Sequence, residues 1–293
     1  MSTALVTDST AYLPPDLLEG LAVHVVPLHV VVGGTEHAEG VDIDPAAVAA
    51  ALRSFTPVST SRPAPAAFLE AYRAAADAGA DAVVSVHISG DMSSTIGGAT
   101  IAAEDSPVPV TVVDSRALGM AMGYAVLAGA RLAAEGGSAT EVADAVRATC
   151  AASTVVFYVD TLEYLRRGGR IGKAGALVGS ALSIKPILGL RDGHIVPLER
   201  VRTSTRAIAR LEDLAAEAAS ALPPGAVGVD VAVHHLDSPE RAERLAERLS
   251  ARIGSGDTVG VRVVELGAVV GAHVGPGTLA VAVVPRVVPA PAR

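Results

Sequence analysis

Up to about residue 153 the chain alternates short runs of β-branched residues with long Ala-rich stretches. The apolar runs read as strands at 4–7, 82–88 and 110–114. The Ala-rich stretches read as helices at 45–54, from 65 onward, at 117–135 and at 140–151, with Gly136-Gly137 breaking the last two. Such alternation predicts βαβ units, a Rossmann-like parallel sheet covered by helices on both faces. An apolar run, HVVPLHVVV, ends in the turn Gly33-Gly34, and a hydroxyl-rich link, Ser59-Thr60-Ser61-Arg62-Pro63, leads into the helix at 65. Each of the three predicted strands is followed by a polar loop: DSTAYLP, SGDMSST and DSRALG. Ligands of open α/β sheets bind outside the carboxyl ends of strands, so these loops are expected to gather on one edge as the polar end of a site.

From residue 154 the pattern changes. A strand (VVFYV), a short helix ending in RRGGR and an apolar stretch to 188 precede the hairpin ILGLRDGHIVPL, in which Asp192-Gly193 is a two-residue turn signal. Helices at 203–221 and 239–253 and strands at 227–234, 259–265 and 278–284 complete a smaller α/β unit with mixed or antiparallel pairing. The expected organisation is a parallel-sheet domain over 1–153, a second α/β domain over 154–285 and a frayed Pro-rich tail over 286–293.

Composition narrows the chemistry. Half of the 293 residues are hydrophobic but only 3% are aromatic, so any cavity is walled by Ala, Val, Leu and Ile and suits an aliphatic ligand better than a stacked ring. A net charge of −8 supplies no basic footprint for nucleic acid. With Cys150 alone, neither an internal disulfide nor a multi-cysteine zinc site can form, and a reducing interior is the expected home. The opening MSTALVTDST is not a signal peptide, and despite a mean hydropathy of +0.44 no apolar run is long enough to span a bilayer, so a cytoplasmic location is expected.

Taken singly, Ser9, Thr60 and Ser93 read as helix caps. Converging on one sheet edge, hydroxyls and backbone N–H groups instead make a neutral anion site. A carboxylate held in that way keeps the electron density that a bidentate arginine would withdraw. Both lysines of the chain, Lys173 and Lys185, fall in one segment, RRGGRIGKAGALVGSALSIKPIL, which hints at a local requirement there. Its GRIGKA is not a phosphate loop, because Arg167 occupies the first glycine position and Ala174 the magnesium-binding one. There is no Gly-x-Ser-x-Gly elbow and no metal-ligand spacing. His87, His234, His235 and His273 are available as bases, though the first three fall in or at the end of strands, where structural roles prevail. An acyl hydrolase or transferase using Ser93 and His273, and a nucleotide-binding α/β domain, remain as alternatives.

In order along the chain, the motifs resemble the DegV family, whose members bind fatty acids and include the fatty-acid-binding subunits of bacterial fatty acid kinase. The matching pieces are Thr7-Asp8-Ser9-Thr10 with Leu13-Pro14, Val26-Pro27-Leu28, Thr60-Ser61 with Pro63 and Pro65, and the loop at 89–95. Val113-Asp114-Ser115, LEYLRRGGRI at 162–171, IKPIL at 184–188, Val201-Arg202-Thr203 and HVGPG at 273–277 continue the match. The resemblance implies one long-chain fatty acid in a buried tunnel, its carboxylate on Thr60, Ser61 and Ser93, with Ser94 and Ser9 beside them and His273 closing the polar end. It further implies Arg170 and Arg202 near the mouth, engaging a separate ATP-dependent kinase that phosphorylates the bound carboxylate. No cofactor belongs to this chain, which would contact a membrane surface only transiently. Arg62, Ala64, Ser94, Ile96 and Glu199 depart from the family pattern, so chain-length preference is not inherited.

Overall fold

In a computed structural model that describes residues 2–177, 184–254 and 259–287, the first half runs β1 (Thr3–Asp8), β2 (Val23–Val26), β3 (His29–Val32), β4 (Thr35–Ala38), α1 (Pro45–Arg53) and β5 (Val58–Ser61). It continues with α2 (Pro65–Asp77), β6 (Ala82–His87), α3 (Thr95–Glu104), β7 (Val110–Asp114), α4 (Met120–Ala134) and α5 (Ala139–Ala152). β2, β1, β6 and β7 lie side by side in that order, all parallel, with Leu5 opposite Val84. Phe68 and Tyr72 of α2 bury one face against Ala4, Val6 and Val83, while α4 and α5 cover Leu5, Val84 and Val86 on the other. The expected doubly covered parallel sheet is present.

HVVPLHVVV, however, is not one strand. Pro27 has no N–H to continue a ladder, and the chain breaks there. Residues before it form β2, at the edge of the parallel sheet, and residues after it form β3 of a separate antiparallel sheet ordered β4-β3-β5. The hydroxyl-rich link at 59–61 is therefore no loop. It belongs to edge strand β5, with Thr60 opposite Val30.

The second half runs β8 (Thr154–Tyr158), α6 (Glu163–Arg167), a 3-10 segment (Gly172–Leu177), β9 (Lys185–Arg191), β10 (His194–Val201) and α7 (Ser204–Ser220). Then come β11 (Ala226–His235), α8 (Pro239–Ile253), β12 (Val259–Glu265), α9 (Ala268–Val274) and β13 (Leu279–Val287). These strands form one six-stranded sheet, β10-β9-β8-β13-β11-β12, antiparallel except for the β11–β12 pair. β13 continues two residues into the segment expected to be tail, where Arg286 meets Asp230 (Nη2–Oδ1 2.6 Å); residues 288–293, and residues 178–183 of the expected apolar stretch, lie outside the described residues. No described helix is long and apolar enough to cross a membrane.

α4 is buried nearly all round because it serves two sheets. Leu5 and Val84 of the parallel sheet and Ala232, Ala282 and Val284 of the mixed sheet belong to the same apolar cluster as Met120, Val126 and Leu127. Small residues in α4 permit this approach: a Cβ at Gly129 would stand 2.7 Å from Val146 of α5 and 3.1 Å from Leu5. In an exposed helix, Gly→Ala is worth about 0.5–1 kcal/mol of added stability. Here overpacking of about 1–3 kcal/mol outweighs it. Gly129→Ala is accordingly expected to lower the denaturant midpoint, and an unchanged or higher midpoint would show that the helix layer is looser than described.

Candidate functional site

The three loops at the carboxyl edge of the parallel sheet are tied to one another. The carboxylate of Asp8, fully buried at the end of β1, accepts from Ile88 N (2.9 Å), His87 Nδ1 (3.1 Å) and both the N–H and hydroxyl of Thr10. Ser89 N donates to Ala117 O (3.0 Å) and Gly119 N to Thr10 O (2.8 Å). The β9–β10 turn reaches across from the mixed sheet, where Ser89 Oγ donates to Gly193 O (3.0 Å) and Arg116 Nη2 to Asp192 O (2.8 Å).

Next to Ile88 in this network lies a cavity of about 170 Å³. Thr60, Ser61, Arg62, Ser93, Ser94, Arg170 and His273 border its polar side; Leu28, Ile88, Met92, Leu118, Leu165, Ile195, Val269, Val270 and Val274 border the rest. Thr60 Oγ1 and His273 Nε2 are 2.8 Å apart, a pairing between residues 213 positions distant. His273 Nδ1 is buried without a partner against the backbone of Gly168, where any side chain would overlap the ring. Burial, assisted by the positive charge of Arg170, lowers the His273 pKa to about 4, so the ring is neutral. An unmet N–H is the costlier omission, which places the ring proton on Nε2. Nε2–H then donates to Thr60, and the Thr60 hydroxyl proton is left for a ligand oxygen. Ser93 Oγ lies 2.8 Å from Thr95 Oγ1, so Ser93 can accept from Thr95 and donate into the cavity.

The other expected residues divide. Ser61 borders the cavity, but its hydroxyl donates to Glu36 of β4 (2.8 Å); Ser94 is exposed at the rim. Ser9 is elsewhere. With the ladder broken at Pro27, Leu28 N donates to Ser9 Oγ (3.0 Å), and that hydroxyl donates in turn to Glu39, beside a second, larger cavity. Arg170, expected at the mouth, borders the cavity itself. It is held by Met92 O (Nε, 3.1 Å) and Gly168 O (Nη1, 2.7 Å), with no carboxylate among the described residues at ion-pair distance. Arg202 is exposed just ahead of α7 and does not border the cavity. Glu199 is bound by Arg210 of α7 (Nε–Oε1 2.9 Å). Lys185 reaches Asp160 O (2.7 Å), whereas Lys173 is exposed. Arg62 is a further cation on the cavity that the hydroxyl pattern alone did not pick out.

The nucleophilic readings lose their geometry. Ser93 is paired with Thr95 and His273 with Thr60; among the described residues no base hydrogen-bonds Ser93 and no carboxylate hydrogen-bonds His273. Ser85, His87 and Asp8 do have the connectivity of a triad (Oγ–Nε2 2.7 Å, Nδ1–Oδ2 3.1 Å), yet all three are wholly buried and Ser85 also meets Tyr72 Oη at 2.9 Å. That chain is structural. Burial, with the negative charge of Asp114, pushes the Cys150 thiol up to about 12, which leaves it inert. His234 accepts from Met120 N (3.1 Å) and is within 3.0 Å of Val264 O, a core role. Among the described residues, no group of three His, Cys, Asp or Glu is arranged to hold a metal.

The family model described as an uncharacterised protein of the DegV family matches residues 2–286. A DegV domain-containing protein of Streptomyces coelicolor is 50% identical over 284 residues, spanning 97% of this chain and 98% of its own. Among solved structures, a DegV family protein of Thermus thermophilus, described by its fatty acid binding, superposes with a TM-score of 0.88 at 35% identity, over 97% of this chain and 100% of that one. DegV of Bacillus subtilis, described as a fatty acid binding protein, gives 0.86 at 32% identity over 97% and 99%.

Depressed histidines have a consequence for stability. His234 and His273 both fall to about 4 in the folded chain against 6.5 when unfolded, so between those values only the unfolded state takes up protons. Stability is expected to be full above 6.5 and to drop as pH falls toward 4. The His273 ring-proton NMR shift should stay flat through 6.5; a midpoint there would mean that the ring is solvated and charges normally.

Proposed function

The chain belongs to the DegV family, and from that we propose that it binds one long-chain fatty acid and presents the carboxylate to a separate ATP-dependent kinase, doing no chemistry of its own. The observation that carries this reading is the division of the cavity into a hydroxyl-and-arginine end, where Ser93 pairs with Thr95 and His273 with Thr60, and an aliphatic remainder. The fatty acid binding described for the Thermus and Bacillus relatives, similar over nearly their whole lengths, supports it.

In this reading the carboxylate takes hydrogen bonds from Thr60 and Ser93, with Arg170 supplying charge at the rim and neutral His273 orienting the Thr60 hydroxyl. The acyl chain lies among Leu165, Ile195, Val270 and Val274, members of an apolar cluster that extends to Phe157, Leu188 and Ala280. Burial is favourable by about 0.8 kcal/mol per CH₂, so the chain supplies most of the affinity and the headgroup contacts supply orientation. Arg170 keeps its fork on backbone carbonyls, which leaves carboxylate oxygens available to a kinase. An acyl phosphate formed there would be shielded from water until it is handed on. Arg202, exposed and outside the cavity, is suited to engage the kinase. A cytoplasmic setting goes with this role.

Purified protein is expected to carry one free fatty acid per chain by native mass spectrometry, and stripping it should lower the melting temperature until a fatty acid is restored. A covalent acyl group on Ser93 would revive the hydrolase reading, while indifference to every fatty acid offered would end the binding one. Thr60→Ala and Ser93→Ala should each weaken binding by about 1–3 kcal/mol in displacement of a fluorescent fatty acid. Arg170→Ala should weaken binding too. Arg202→Ala should leave affinity unchanged and slow phosphorylation by the partner kinase; the opposite split would exchange the roles of the two arginines.

A further inference from the structure

The cavity proposed for the acyl chain has a neighbour. A second, open cavity of about 740 Å³ is bordered by Tyr12, Val25, Val41, Glu39 and Gly267. The two lie on either side of the start of α9: Gly267 and Ala268 border the second, while Val269 and Val270 border the first. One ring borders the second and contacts the wall of the first. Tyr12 borders the second cavity and also packs on the apolar cluster that contains Val270 and Leu118, its hydroxyl accepting from Val270 N at 3.3 Å. We propose that Tyr12 is the partition that ends the acyl cavity and so sets the longest chain this protein accepts, an inference that rests on the fatty-acid reading above.

The local structure goes to some cost to hold this ring. Tyr12 has φ +49°, a left-handed backbone that aromatic residues seldom adopt, and such strain persists only where the surroundings over-determine it. Its neighbours do so. Gly119 N holds Thr10 O (2.8 Å), the ring stands edge-on to His234 with centroids 6.3 Å apart, and a Cβ at Gly267 would come within 2.5 Å of Tyr12 Cε1. Val269 N donates to Glu39 Oε1 (2.8 Å) and Ser9 to the other oxygen, which ties Glu39, just after β4, to the same helix start. Burial pushes both the Tyr12 phenol and the Glu39 carboxyl above their ordinary values.

The choice of residue fits the task. The rest of the acyl wall is aliphatic and adaptable, whereas a tyrosine ring is a rigid plate with a polar tip that can be tethered to backbone. Beyond it the second cavity offers apolar surface, Val25 and Val41 being 45% and 74% exposed. A chain too long for the first cavity would therefore meet apolar wall if the ring were removed.

The test is a chain-length profile by displacement of a fluorescent fatty acid with palmitate, stearate, arachidate and behenate, on wild type, Tyr12→Ala and Tyr12→Phe. Wild type should lose affinity sharply beyond a limiting length. Tyr12→Ala should move that limit by two methylenes or more, tightening behenate by about tenfold. Tyr12→Phe, which keeps the plate, should retain the wild-type profile. Should alanine prevent folding, Tyr12→Leu shortens the plate while keeping apolar bulk and gives the same reading. A cooperatively folded Tyr12→Ala or Tyr12→Leu with the wild-type limit, or a wild type that binds behenate as tightly as palmitate, overturns the proposal. Failure of wild type to bind any of the four is a distinct result that removes the fatty-acid reading itself, and this inference with it.

Discussion

The site depends on a single buried carboxylate. Asp8 stands at the carboxyl end of β1 without solvent, and an isolated charge there would cost far more than a domain can spare. Four donors answer it: Ile88 N, the ring of His87 at the end of β6 and both groups of Thr10. Because the need is electrostatic and buried, the segments that carry them cannot drift without exposing an unmet charge. Ile88 and Ser89, which start the loop bearing Ser93, and Thr10, whose carbonyl holds the start of α4, are thereby fixed relative to one another. The His87–Ser85–Tyr72 chain extends the same network into the sheet.

The other half of the site is positioned by close packing. Any side chain at Gly168 would strike His273, any at Gly275 would strike Tyr164, and any at Gly277 would strike Asp160. The RRGGR turn after α6 and the HVGPG turn after α9 thus interlock through their glycines, and that interlock holds the His273 ring at Thr60. The shared α4–α5 layer carries the alignment between the two sheets. A neutral imidazole follows from this burial. It acts as a dipole that sets the direction of the Thr60 hydroxyl, and the formal positive charge stays on the arginines at the rim.

This division of labour suits a carrier. In the proposed fatty-acid reading, aliphatic walls would provide affinity that is insensitive to headgroup chemistry, and a few hydroxyls would orient the reactive end without neutralising it. A hydrolase would need the reverse, with a base facing Ser93 and a carboxylate behind that base. Among the described residues, the chain of contacts of that kind, Ser85–His87–Asp8, is sealed inside the sheet.

Local periodicity determined much by itself. The Val-rich runs and Ala-rich helices declare which residues face inward, so the parallel sheet, its helix layers, the Asp192-Gly193 turn and the gathering of three polar loops on one edge are legible along the chain. Thr60, Ser93 and His273 were legible as motif positions. Only the tertiary structure decided how they pair, because hydrogen-bond partners are set by distances between remote elements that no local pattern encodes. Pro27 splits one apolar run between two sheets, and the freed N–H of Leu28 draws Ser9 to Glu39 and away from the cavity where Ser93 and Thr60 meet. Arg170 turns onto the carbonyls of Met92 and Gly168 and so borders the cavity, while Arg202, equally basic in sequence, stays in solvent. A cavity is space left between elements that pack separately, and its limits exist only once those elements are assembled.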